Sequence, residues 1–181
     1  RFGVRFAPED LTSYDIFSLM KHSKAEKLTD AARNSMEYEV RRWILTAHCY
    51  WEMRPSEGAQ YAIRRLSEVA DVLFLTGRPI MNGIRKATLL AVARDFPEIQ
   101  DGFFCHPRSK GRTAKALGAR WAIEDLVPSA EGYAKSRIMT YVVQTPYTGG
   151  LPRNRFLRPV RSVAEVADII TSRYSPVEEH Q

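Results

Sequence analysis

The chain has 181 residues, 44% of them hydrophobic, which is enough for one substantial core with a small accessory subdomain beside it. No stretch approaches the roughly 18 consecutive apolar residues of a membrane span, and the first residues lack a signal-peptide pattern, so we expect a cytoplasmic protein with no membrane partner. The formal charge of +6 is scattered along the chain, which is compatible with a phosphate-bearing small molecule or with solubility alone and only weakly supports nucleic-acid binding.

The first third of the chain has the hydrophobic spacing of helices. Apolar residues recur every three or four positions along one segment, which predicts a long amphipathic helix from near Thr29 towards Tyr50. A shorter helix is predicted around 11–20, and another at about 57–69 after the turn signal RPSEG. We therefore expect residues 1–68 to form a small helical cap subdomain.

From residue 71 onward, short apolar runs alternate with helical segments. The predicted strands are VLFLT, GFFC, ARWAI and TYVVQ, and the predicted helices include KGRTAKAL and SAEGYAKS. The last helix, VAEVADIITSR, has its own start signal, because Ser162 and Glu165 form a capping box. This alternation predicts an α/β fold in which residues 69–181 form an open, doubly wound parallel sheet.

The first of these strands ends in residues suited to binding a phosphate group. Ligands of open parallel sheets bind at the carboxyl ends of the strands. The strand VLFLT ends in Thr76-Gly77-Arg78, which offers a hydroxyl donor and a backbone N–H beside a glycine that permits close approach of an oxyanion. We take Thr76, Gly77 and Arg78 as phosphate-binding candidates.

Two later strand ends supply a lysine and two carboxylates. Lys110 opens the helix that follows GFFC, where the N-terminus already favours an anion. Lys115 is the alternative, although it lies at least one turn further into the same helix. The strand ARWAI ends in Glu124-Asp125, and carboxylate oxygens of this kind suit Mg²⁺. The sequence thus predicts a phosphate and metal site at one edge of the sheet.

The segments VLFLTGRP, SKGRTAKALG and RWAIED resemble, in this order, the second, third and fourth motifs of the haloacid-dehalogenase (HAD) superfamily. DLTSYDIF, RPSEGAQYAIRRLSE and YVVQTPYTGGLPRNRFLRPVRSVAEV resemble bacterial 5'(3')-deoxyribonucleotidases, so the resemblance covers essentially the whole chain. It implies a HAD-like Rossmannoid core with a helical cap. It also implies Mg²⁺-dependent hydrolysis of a phosphomonoester, a (deoxy)nucleoside monophosphate, through an aspartyl-phosphate.

The resemblance also implies roles for the candidate residues. Thr76 and Lys110 would be catalytic, with Thr76 and the N–H of Gly77 binding phosphoryl oxygens, and Glu124, Asp125 or both would bind Mg²⁺. The cap would shape the nucleoside pocket, and its aromatic residues are candidates for one wall of that pocket: Trp43, Tyr50 and Trp51. Aromatic residues at helical spacing are also typical of an ordinary core.

The first motif of the family, an apolar strand ending in Asp-x-Asp, is missing. No Asp-x-Asp occurs in the chain, and Asp15 follows no apolar strand and has Phe17 where the second aspartate belongs. In this fold that strand lies in the middle of the sheet, so its loss would leave backbone donors and acceptors unpaired in the core. We therefore expect a parent chain that carries the aspartates upstream of Arg1. The alternatives are a catalytically inactive binding protein and a basic nucleic-acid-binding module.

Overall fold

The computed structural model describes residues 29–81, 83–146 and 148–174, so the helix predicted around 11–20 lies outside the described residues. None of the described helices combines the length and apolar character needed to cross a membrane. The elements follow in chain order: α1 (Asp30–Ile44), α2 (Ala47–Glu52), α3 (Ala59–Ser67), β1 (Phe74–Thr76), α4 (Ile84–Asp95), β2 (Gly102–Phe104), a 3₁₀ helix (Pro107–Ser109), α5 (Lys110–Ala116), β3 (Trp121–Glu124), α6 (Val127–Lys135), β4 (Met139–Val143), β5 (Leu157–Val160) and α7 (Val163–Tyr174).

The strands form two parallel sheets. β1 pairs with β2, with Leu75 opposite Phe103. The second sheet has the order β3-β4-β5, with Ile123 opposite Tyr141 and Tyr141 opposite Arg158. A mixed α/β fold with parallel strands is therefore confirmed. The single doubly wound sheet predicted from the sequence is not formed by the described residues, because no ladder joins β1 to β3 within them.

Helices cover both faces of the three-stranded sheet. On one face α3 packs against α7, and this α3/α7 cluster has buried members from both helices, β4 and β5: Ala62, Leu66, Tyr141, Val160, Val166, Ala167 and Ile170. On the other face α5 packs against α6, and this α5/α6 cluster contains Ala114, Tyr133 and Ile138. Along β3, Ile123 packs against the first cluster and Ala122 against the second, as the alternation of a pleated strand requires.

The two sheets meet at the α5/α6 cluster. Leu75 of β1 and Ala122 of β3 both pack against it. The carbonyl of Thr76 accepts a hydrogen bond from the N–H of Cys105, just after β2. Successive residues of a strand in a parallel ladder direct their N–H and C=O groups to opposite sides, so those of Leu75 point away from β2. By the same alternation, the N–H and C=O of Ile123 point away from β4. Within the described residues, Leu75 and Ile123 thus have backbone groups that no strand ladder pairs.

The long helix predicted from near Thr29 is two helices in the structure. α1 ends at Ile44, and α2 begins at Ala47. The hydroxyl oxygen of Thr46 accepts a hydrogen bond of 3.5 Å from the N–H of Cys49, so Thr46 caps the start of α2. Threonine is a favoured residue at this position, and the cap starts a new helix although the hydrophobic spacing continues across the break.

β5 was not predicted from the sequence. Pro159 lacks the N–H of a ladder residue, so a proline in a short apolar run counts against a strand. Among the described strands, β5 lies at the edge of its sheet. Val160 accepts a hydrogen bond of 2.8 Å from the N–H of Gln144, which leaves position 159 facing away from β4. The proline is tolerated because no donor is needed on that side.

Helix α3 lies on the cap side of the boundary predicted at residue 68, yet it contributes to the core. Ala62 is fully buried, and Arg65 donates hydrogen bonds to Asp168 and, at 2.8 Å, to the hydroxyl of Thr171 on α7. Helix α2 of the cap range likewise packs on α4, where Cys49 and Tyr50 share a buried cluster with Ile84 and Ala87. The division into a cap of residues 1–68 and a core of residues 69–181 stays a prediction.

Candidate functional site

The carboxyl ends of β1, β2 and β3 bring several predicted site residues together. Thr76 is the last residue of β1 and only 6% exposed. Its carbonyl accepts a hydrogen bond of 3.0 Å from the N–H of Cys105, just after β2, and its hydroxyl oxygen accepts one of 3.2 Å from the N–H of Arg78. Lys110 begins α5, and its Nζ lies 2.7 Å from Oε2 of Glu124, the last residue of β3. Strand ends that are distant in sequence therefore share one edge.

Gly77 joins the end of β1 to the segment that carries Lys110. A Cβ atom at Gly77 would lie 2.8 Å from Cγ of Pro107, which shows that the backbone after β1 packs directly on the 3₁₀ helix Pro107–Ser109. Lys110 follows that helix immediately. The sequence suggested that the glycine leaves room for an oxyanion. In the structure, the space on the Cβ side of Gly77 is filled by proline, so close packing is a sufficient reason for a glycine here.

Lys110 and Glu124 form a largely buried ion pair, with side chains 15% and 9% exposed. Burial raises the pKa of Glu124 above its usual value, the Lys110 ammonium opposes that rise, and the neighbouring carboxyl of Asp125 adds to it. The other oxygen of Glu124, Oε1, accepts hydrogen bonds of 3.3 and 3.4 Å from the N–H groups of Asp125 and Leu126. Charges interact strongly in such a site because little water screens them.

The structure distinguishes the two lysines of α5. Lys110 reaches across to β3, whereas Lys115 is exposed in the last turn of the helix. A lysine at the start of α5 lies next to the strand ends, and one more than a turn further on is carried away from them by the rise of the helix. The geometry therefore places Lys110, and not Lys115, at the site.

The acid pair fits Mg²⁺ in part. The carboxyl groups of Glu124 and Asp125 are close enough that Asp125 disfavours ionisation of Glu124, and a divalent cation would relieve that repulsion. Both oxygens of Glu124 already have partners in the protein. In the described part of the chain, no three His, Cys, Asp or Glu residues are grouped to hold a metal ion. Metal binding by this pair would therefore need further ligands from water or from a bound phosphate.

Of the aromatic candidates, the structure places Tyr50 beside the strand-end residues. Tyr50 is 6% exposed, and the guanidinium of Arg78 lies 4.9 Å from the centre of its ring. Trp51 is 42% exposed and packs instead with Arg94 of α4, whose guanidinium lies 4.7 Å from the ring centre. Trp43 belongs to α1, and its side chain lies outside the described part of the structure.

Sequence reasoning missed Tyr133 as a neighbour of the site. Tyr133 lies on α6 and is 5% exposed. Burial raises its pKa above the usual value of a tyrosine, and the charge of Glu124 acts in the same direction. The available signal was a lone aromatic residue in the small-residue helix VPSAEGYAK, which follows the acid pair directly. That pattern predicts a buried ring but not the direction of its hydroxyl.

No protein-family model matches this chain, and no curated protein matches its sequence. The geometry of the strand ends therefore carries the functional interpretation.

Proposed function

We propose that this chain is the phosphate-binding part of a HAD-type, Mg²⁺-dependent phosphomonoester hydrolase that acts on (deoxy)nucleoside monophosphates. The observation that carries the proposal is the buried contact between Lys110 and Glu124 beside Thr76, at the shared carboxyl end of parallel strands. Phosphate ligands of open α/β sheets bind at this edge, and a cation held there by a carboxylate is oriented before the ligand arrives.

The phosphate would bind between the end of β1 and the start of α5. The ammonium of Lys110 has three N–H donors, and Glu124 accepts from one of them, so the cation can serve a phosphoryl oxygen without breaking the ion pair. The N–H of Gly77 and the hydroxyl of Thr76 would supply further donors, and Arg78, stacked on Tyr50, would supply a second cation.

The finer fold is part of this proposal. We propose that β1 and β3 flank the position of a central strand in one doubly wound sheet. The shared packing of Leu75 and Ala122 and the unpaired edges at Leu75 and Ile123 support this arrangement. In the HAD resemblance the central strand carries the Asp-x-Asp nucleophile, which is absent from the 181 residues. Such a strand, parallel to its neighbours, would end beside Lys110.

Glu124 and Asp125 would hold Mg²⁺ together with the phosphate. When bound, the cation neutralises charge on the phosphoryl group. The work of the protein itself is electrostatic: Lys110 balances Glu124 before the ligand binds, and then stabilises the added negative charge.

Calorimetric titration with inorganic phosphate, with and without Mg²⁺, tests the site in this chain. We expect Mg²⁺ to strengthen binding and Lys110→Met to abolish it. Lys115→Met is the matched control, because it removes an exposed lysine from the same helix. An unmodified chain that binds no phosphate under either condition would refute the proposed site.

A binding protein without turnover is the second candidate, and the missing Asp-x-Asp favours it for the chain as printed. We expect these 181 residues to bind a deoxynucleoside monophosphate without releasing phosphate. A natural chain in which an Asp-x-Asp strand precedes them should release phosphate in a Mg²⁺-dependent reaction. Absence of release from such a chain, with binding retained, would identify the binding function as the correct one.

A further inference from the structure

Tyr133 has a buried ring and a hydroxyl that makes no hydrogen bond to the described protein. Only 5% of the residue is exposed. Among the described residues, Oγ1 of Thr88 is the side-chain polar atom that is both inaccessible to solvent and without a hydrogen-bond partner. The hydroxyl oxygen of Tyr133 has no partner either, so it must retain some accessible surface. A buried aromatic ring thus ends in a donor that borders space open to water or a ligand.

The ring of Tyr133 packs where residues of both sheets meet the same cluster. The ring of Tyr133 belongs to the α5/α6 cluster, against which Leu75 of β1 and Ala122 of β3 both pack. The helix that carries Tyr133, α6, packs against β3 and against the 3₁₀ helix that immediately precedes Lys110. Tyr133 therefore lies in the same part of the fold as the Lys110–Glu124 pair.

The protonation state of Tyr133 suits an anionic ligand. A tyrosine hydroxyl is protonated at neutral pH, so that of Tyr133 acts as a donor. A hydroxyl that borders open space can donate to an acceptor that enters this space. Carboxylate oxygens nearby do not fill this role in the structure, since Glu124 is bonded to Lys110 and to two backbone N–H groups.

We infer that Tyr133 is a ligand-binding residue of the strand-end site, and that its hydroxyl donates a hydrogen bond to an oxygen of the phosphoryl group that Lys110 binds. The inference rests on the proposed function and adds to it a donor from the α6 side of the sheet. The ring of Tyr133 belongs to the core, and its hydroxyl is assigned to the ligand.

Titration of the 181-residue chain with inorganic phosphate in the presence of Mg²⁺ tests this role. Tyr133→Phe keeps the ring and removes the hydroxyl, so we expect phosphate to bind about 10-fold more weakly, as for loss of one hydrogen bond to a charged group, at an unchanged melting temperature. Tyr141→Phe is the matched control. Tyr141 is equally buried, but it packs in the α3/α7 cluster on the opposite face, so we expect unchanged affinity.

The outcomes separate this inference from the proposed function. Phosphate binding by the unmodified chain with equal affinity for Tyr133→Phe would overturn the role of Tyr133 and leave the site standing. A lowered melting temperature of Tyr133→Phe would also overturn it, because a hydroxyl without a protein partner contributes nothing to folding. No phosphate binding by the unmodified chain would overturn the proposed function, and the inference with it.

Discussion

Gly111 of α5 faces the backbone carbonyl of Gly132 of α6. A Cβ atom on Gly111 would lie 2.0 Å from that carbonyl oxygen, whereas a Cβ atom on Gly132 would meet nothing within 4 Å. The close approach of the two helices therefore depends on the missing side chain of Gly111 and not on that of Gly132. This crossing holds α5, and with it Lys110, against the helix that follows the acid pair.

Gly111→Ala should destabilise the protein strongly, because the helices must separate to admit a methyl group against backbone atoms. We expect a loss of about 3 kcal/mol in the free energy of unfolding, the upper part of the range for overpacking. Gly132→Ala, in open space within a helix, should raise it by about 0.5 kcal/mol. Urea unfolding of both variants measures the difference, and similar effects of the two substitutions would contradict this asymmetry.

Lys110→Met should destabilise the fold in a pH-dependent way. Without the ammonium, burial and the carboxyl of Asp125 both keep the pKa of Glu124 raised, so the folded protein retains a proton that the unfolded chain releases. The free energy of unfolding therefore falls as pH rises from the usual glutamate pKa through the raised one. At neutral pH the uncompensated carboxylate should cost about 3 kcal/mol.

Urea unfolding of Lys110→Met near neutral pH and at a lower pH, close to the ordinary glutamate pKa of about 4.3, measures this effect. The deficit relative to the unmodified protein should shrink at the lower pH. Lys115→Met serves as the control and should show no deficit at either pH. A deficit that grows on acidification would mean that Glu124 does not carry the uncompensated charge.

Asp125→Asn should remove the Mg²⁺-dependent part of phosphate binding, because it takes one of two carboxylates from the proposed metal site. Phosphate affinity in the presence of Mg²⁺ should then equal the metal-free value, as measured by calorimetry. Asp71→Asn, an exposed aspartate at the amino end of β1, should leave the Mg²⁺ effect intact. Retention of the effect in Asp125→Asn would exclude that residue as a ligand.

Ser162→Ala should weaken the start of α7. The hydroxyl oxygen of Ser162 accepts a hydrogen bond of 3.2 Å from the N–H of Glu165, and loss of such a cap costs about 1 kcal/mol. Ser172→Ala, in the last part of the same helix, should change the free energy of unfolding by less than about 0.5 kcal/mol. Thermal or urea unfolding compares the two serines, and equal costs would mean that the cap is not what stabilises the helix.

The carboxylate of Glu165 adds a pH dependence to the same helix start. The N–H and the guanidinium of Arg161 hold the pKa of Glu165 below its usual value, so its contribution is present above the usual glutamate pKa and is lost as pH falls through the lowered one. The sequence predicted a reciprocal capping box. In the structure Glu165 accepts from Arg161, one residue before the cap.

The sequence was most informative for charged residues that stand at the end of a strand or the start of a helix. Lys110 and Glu124 could be placed at one edge because each stands at the boundary of an element, and parallel strands share their carboxyl end. The sequence was less informative where one residue outweighs the hydrophobic pattern. Thr46 caps a new helix within a continuous helical spacing, and Pro159 lies in a strand although proline usually counts against one.

Tyr133 shows a different limit. Its ring packs in the α5/α6 cluster. The direction of the hydroxyl depends on how α6 lies against β1 and β3, which is a property of the assembled layers. Likewise, the alternation of strands and helices predicts parallel pairing but not whether every neighbouring pair of strands forms a ladder.

Pro159 gives the outer border of the β3-β4-β5 sheet an incomplete set of amide donors. A further strand arriving there, from another molecule, meets a gap in the hydrogen-bond pattern, so sheet growth in that direction is discouraged. The inner borders at Leu75 and Ile123 have no such protection in the described residues. Self-association at high protein concentration should therefore start at the unpaired edges of β1 and β3. A short peptide that forms a strand along these edges should reduce it.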